Sequence, residues 1–205
     1  MTFGQFAIKG NHVNRLAEIF SFFKLIDTGE DQILTNWAET SKILEKENLQ
    51  YSNTSQQHLV FIQNGWTVIE DLKMNLCYDT EALQNISSLL NQPVFSCFVQ
   101  TTSSNHAFYY FDKIKARAYH FNDGIIEESF GSPLEQEKDI DLTDNVSCVY
   151  DLTTKLGLDW ESSKYLDKYI FKTLTNSPEL QAELDKYKPE KKEPNKNNRP
   201  WWKFW

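Results

Sequence analysis

Glycine is scarce in this chain, at 7 of 205 residues, and proline scarcer still at 6. No GxGxxG or GxxxxGK[ST] run occurs, so the usual phosphate-cradling loops are excluded. Cysteine numbers only three, Cys77, Cys97 and Cys148, with no CxxC pair and no zinc-finger spacing. Such an odd, scattered set is expected to be buried, reduced thiol in a cytoplasmic protein. No apolar run reaches 18 residues, and MTFGQFAIKGN lacks a basic start followed by an apolar stretch. Neither a membrane-spanning helix nor a signal peptide is expected. There is no G-x-S-x-G, and nothing in the sequence ties a cysteine to a histidine as a nucleophilic pair.

Aromatics, by contrast, make up 14% of the chain. They concentrate between Pro93 and Gly131, as VFSCFVQ, HAFYYF, IKARAYHF and IIEESFG. Aromatic and β-branched residues suit a pleated, half-buried surface. Asp123-Gly124 supplies two positions that tolerate positive φ, as a type I′ hairpin requires. Four antiparallel strands in a meander are predicted here. Asn64-Gly65 marks another hairpin, between 58–62 and 66–72.

Helical spacing predicts helices over 13–24 (behind Asn11) and 33–49, with Asp27-Thr28-Gly29 as the break. Others are predicted after Asp79, behind Asp144 or Thr143 to Gly157, from Asp159 through Leu174, and from Ser177-Pro178 to Tyr187. The segment 132–141 reads as an acidic irregular loop. No βαβ alternation is present. The fold class is α+β: an antiparallel sheet with helices on one face or end. Residues 1–187 are expected to form one domain.

Composition changes after Tyr187. KPEKKEPNKNNRP carries no apolar residue except proline and reads as a flexible basic linker over 188–205. It ends in a Trp-rich peptide, and Trp201, Trp202, Phe204 and Trp205 are candidate anchors for a partner protein or, weakly, a membrane surface. A C-terminal clamp on the chain's own body is the bland alternative.

Charge divides the same way. Residues 186–205 hold seven Lys or Arg against two Glu, a net of +5; the whole chain is −8, which leaves −13 on the body. An acidic body repels nucleic acid and steers basic proteins toward itself. Glu135, Glu137, Asp139 and Asp141 are the candidate acidic face. No cofactor is expected, and the loop lacks the ordered spacing of a calcium site.

Two histidines deserve a separate reading. Across the Asp123-Gly124 turn, His120 is expected opposite Glu127. A three-residue turn before it would bring His106 opposite His120, giving a metal-assisted hydrolase patch of His106, His120 and Glu127. A two-residue turn would put the histidines on opposite faces.

The order GWTVIED (65–71), a capped helix, a Pro-Val strand start, the aromatic meander, Gly131-Ser132-Pro133-Leu134-Glu135-Gln136-Glu137 and Leu156-Gly157-Leu158 resembles small bacterial proteins found beside polymorphic toxins. In that setting they serve as immunity proteins. The resemblance is one of layout and covers residues 58–175; the N-terminal helices and the Trp-rich tail lie outside it. It implies a non-catalytic, acidic protein that binds a cognate toxin, and it assigns no functional residue.

Overall fold

A computed structural model describes residues 2–48, 54–113 and 115–187. Its centre is β1 (Thr2–Lys9). Phe6 and Ile8 point into one core and Phe3 and Ala7 into the other. A strand covered on both faces has no polar side to display, so its alternation is weak in the sequence.

Eight more strands extend from β1: β2 (Leu25–Leu34), β3 (Ser55–Gln63), β4 (Trp66–Glu70), β5 (Val94–Gln100), β6 (Asn105–Asp112), β7 (Lys115–Asn122), β8 (Ile125–Phe130) and β9 (Tyr169–Asn176). They form one nine-stranded sheet in the order β2-β9-β3-β4-β1-β5-β6-β7-β8. Every neighbouring pair is antiparallel. The meander is therefore β5 to β8, as predicted. Both hairpin dipeptides adopt positive φ at both positions: Asn64 47° and Gly65 77°, Asp123 47° and Gly124 86°.

The helices are α1 (Leu16–Ser21), α2 (Trp37–Asn48), α3 (Thr80–Leu90), α4 (Ser147–Lys155), α5 (Trp160–Ser163) and α6 (Pro178–Asp185). Asp79 caps α3 by accepting from the Ala82 N–H at 3.0 Å, and Asn91 ends it in the left-handed region. Ser177 accepts from the Leu180 N–H at the start of α6, with Pro178 in the first turn. The helices are not confined to one face. Leu16, Ile19 and Phe20 of α1 and Leu83 and Ile86 of α3 cover one side. On the other, Val149 and Leu152 of α4 are buried, with Trp37 of α2 and Trp160 of α5 packed alongside. Each such buried Leu, Ile or Phe contributes about 1.5–3 kcal/mol.

Three predicted helices are altered. The segment 13–24 divides into a 3-10 turn, Val13–Arg15, and the short α1; Lys24, at φ 56°, turns the chain out of it. Asn11 still accepts from the Val13 N–H at 3.3 Å. Ile33 and Leu34 belong to β2, so the second helix starts only at Trp37, and Asp27-Thr28-Gly29 lies inside β2 at a register shift. The third change is larger. Asp159 caps only the four residues of α5, and Tyr169–Asn176 is strand β9, seated between β2 and β3. Tyr169 and Phe171 enter one core, Ile170 and Leu174 the other. A segment buried on both sides carries apolar residues on both parities, here broken between Tyr169 and Leu174 only by Lys172 and Thr173, and helical and extended periods fit it equally well.

Candidate functional site

The outer half of the meander and the segment after it form an exposed apolar and acidic surface. β8 is the last strand of the sheet, so one of its edges has no neighbour among the described residues. All six of its residues are exposed. Ile125 is 66% exposed, Ile126 49% and Phe130 62%, with Glu127 and Glu128 between them.

Gly131 then turns the chain back over the sheet at φ 80°; a Cβ there would fall 2.0 Å from the Ala116 carbonyl oxygen. Residues 132–146 form a strap. Leu134, Ile140, Leu142 and Val146 pack inward against the core beneath α4, while Glu135, Asp139 and Asp141 are exposed. The strap is pinned by one buried ion pair. Arg117 of β7 donates from Nε (2.9 Å) and Nη2 (2.8 Å) to the Glu137 carboxylate, which also accepts from the Leu134 N–H at 2.7 Å. Glu137 thus leaves the acidic face proposed from the sequence. Its side chain is only 6% exposed, because Arg117, also buried, needs a counter-charge. Lys155 of α4 donates to the Lys138 carbonyl and ties the strap's far side. Asp141 accepts from the Thr143 N–H and hydroxyl, which holds its carboxyl below the usual range.

The histidine patch is not assembled. The β6–β7 register pairs His106 with Phe121 and Ala107 with His120, so the two histidines face opposite sides of the sheet. His120 does meet Glu127, at 3.2 Å, although a bulge between His120 and Phe121 shifts the strand pairing to Glu128. Among the described residues no group of three or more His, Cys, Asp or Glu is placed to hold a metal.

His106 instead meets a residue the sequence did not link to it. Its Nε2 donates to the Leu142 carbonyl at 3.0 Å, and the Cys148 sulfur lies 3.3 Å from the same nitrogen. A carbonyl can only accept, so that nitrogen already carries its proton. It cannot deprotonate the thiol. Burial lowers the His106 pKa and pushes Cys148 up to about 12. Both are buried, His106 completely, and this contact ties strap to core rather than forming a nucleophile. Cys77 and Cys97 are buried as well.

Two further features had no sequence signal. Glu70, on β4 beside Gln5 and Leu59, is fully buried with an unpartnered Oε1, and burial pushes its carboxyl up to about 8. A cavity of about 440 Å³ opens between α4 and α5, walled by Tyr150 and Trp160. Trp201, Trp202, Phe204 and Trp205 lie outside the described residues.

Set against protein-family models, curated proteins and solved structures, the chain matches none of them. No helix among the described residues is long and apolar enough to cross a membrane.

Proposed function

We propose that this chain is a non-catalytic protein-binding module that takes a basic partner along β8, as an immunity protein takes its toxin. One observation carries the reading: β8 is an edge strand, unpaired on one side among the described residues, with all six side chains exposed, three of them large and apolar. An exposed edge with large apolar side chains is a ready template for another strand. Strand addition uses the free backbone groups for affinity and alternate side chains for specificity. The glutamates argue for a basic occupant rather than a second copy. Antiparallel pairing of β8 with a second copy about its centre sets Glu127 opposite the copy's Glu128, and like charges opposite each other are destabilising. The strap carboxylates Glu135, Asp139 and Asp141 add a field that steers a basic surface toward the edge.

The test is binding and neutralisation of a basic toxin encoded beside the gene for this chain, by calorimetry and cell survival. Ile126→Lys and Phe130→Lys alter exposed side chains, so the melting temperature should hold. Each is expected to weaken binding about 30-fold or more, the size of a hot-spot residue at roughly 2 kcal/mol. Binding should also associate more slowly as salt rises. If the intact chain neutralises and binds no such toxin, or the variants bind equally well, the reading fails.

A further inference from the structure

We infer that the cavity between α4 and α5 is a binding site for an aromatic side chain, and that its occupant is the chain's own segment 201–205. At about 440 Å³ it sits within the range of ligand sites, roughly 300–1,000 Å³. Its wall is prearranged. Trp160 is braced edge-on by Phe3, with ring centres 4.7 Å apart, and by Trp37 at 6.2 Å. Tyr150 faces it from α4, and Thr101, from the turn after β5, and Thr153 complete the lining. Rigid aromatic walls with a few polar groups suit Trp or Phe, the residues that dominate anchor pockets.

The rim sets the sign of charge beside the anchor. Asp159 is held there because its carboxylate accepts from the Glu161 and Ser162 N–H groups. Glu161 stands next to it, and Lys164, 2.8 Å from Glu161, is the one cation among the lining residues. Two carboxylates against one ammonium favour a basic ligand. Segment 201–205 is Trp-Trp-Lys-Phe-Trp, and residues 188–205 carry six Lys or Arg against two Glu.

Reach is sufficient. β9 and β5 run in the same direction, four strand steps apart, so Asn176 and Thr101 lie at one end of the sheet about 19 Å apart sideways. α6 lies against the other face through Leu180, so the chain must also round the sheet end, roughly another 10 Å. Residues 188–200 include Pro189, Pro194 and Pro200, and 13 extended residues at about 3.1 Å each span roughly 40 Å. The site is separate from β8, so it stands or falls independently of the strand-addition reading.

The experiment uses the full chain with Lys164→Cys and Lys203→Cys and a short bismaleimide; the native cysteines are buried and protected. Mass spectrometry is expected to find an intrachain link in most molecules at low protein concentration. Adding Thr154→Trp, which fills the cavity from an exposed lining position, should cut that yield at least fivefold. In parallel, alanine at Trp201, Trp202, Phe204 and Trp205 together should speed amide exchange across 159–164, a readout that does not depend on Thr154→Trp folding. Links between chains would overturn the inference, since the occupant would then be a second copy. So would a yield unmoved by Thr154→Trp, or exchange unmoved by the alanines.

Discussion

Glu137→Ala is expected to lower stability by about 3–5 kcal/mol, read as a fall in the urea midpoint, because it strands the buried Arg117 guanidinium. Arg117 sits on β7 with its charge over the Phe108 and Tyr119 rings, 5.6 and 5.7 Å from their centres. Its remaining polar contacts are the Ala118 and Phe130 carbonyls and the Ser129 hydroxyl. None of these carries a formal charge. The same substitution removes the acceptor for the Leu134 N–H, so the loss includes the start of the strap. Amide exchange should therefore accelerate over 134–142 before the rest of the sheet responds. The paired variant Arg117→Met/Glu137→Leu should cost much less than either single change, since no orphan charge remains. A single substitution that costs under about 1 kcal/mol, or a double mutant as unstable as the singles added together, would rule out the pin.

Glu70→Gln is expected to change the pH dependence of stability more than stability itself at acid pH. The folded carboxyl is raised from 4.5 to about 8 by burial. The folded state therefore holds this proton where the unfolded chain has lost it. Below pH 4.5 both states are protonated and Glu70 contributes no pH dependence. As pH rises from 4.5 toward 8 the unfolded state gains by ionising, and the fold loses on the order of 5 kcal/mol, at about 1.4 kcal/mol per pH unit. Glutamine keeps the shape of the neutral acid and cannot ionise. The variant should match the parent within about 1 kcal/mol at pH 5 and exceed it by several at pH 9. His58 works in the other direction and is untouched by the substitution: burial lowers its pKa, so its contribution falls only as pH drops below 6.5. Parallel stability–pH curves for parent and variant would show that Glu70 is not the titrating group.

Local chemistry wrote much of this fold into the sequence. Asn64-Gly65 and Asp123-Gly124 turn where positive φ is cheap. Asp79 and Ser177 cap helices because their oxygens reach orphan N–H groups two or three residues on. The meander declared itself because aromatic and β-branched runs alternate with turn residues. These signals act within a few residues, so one chain contains them. The helix expected through Leu174 failed for the opposite reason. Tyr169, Ile170, Phe171 and Leu174 place apolar residues on both parities because β2 and β3 flank the strand and helices cover both faces, and Lys172 between them is neutralised by Asp27 and Asp31 of β2, so only the assembled sheet decides it.

The candidate surfaces divide in the same manner. The acidity of 135–141 is plain in the sequence, but which carboxylates reach solvent is not. Glu137 differs from Glu135 only because Arg117, twenty positions earlier, arrives beneath it. His106 and His120 were open to either face until the β6–β7 turn fixed the register. That β8 has no outer neighbour among the described residues, and that Tyr150 and Trp160 wall a cavity, depend on strand order and helix placement. The sequence alone determined the hairpin turns, the Asp79 and Ser177 caps, the strands of the meander and the sign of the body's charge, because those are properties of neighbours along the chain. Tertiary structure decided burial, edge and pocket, because each is a property of what arrives from elsewhere.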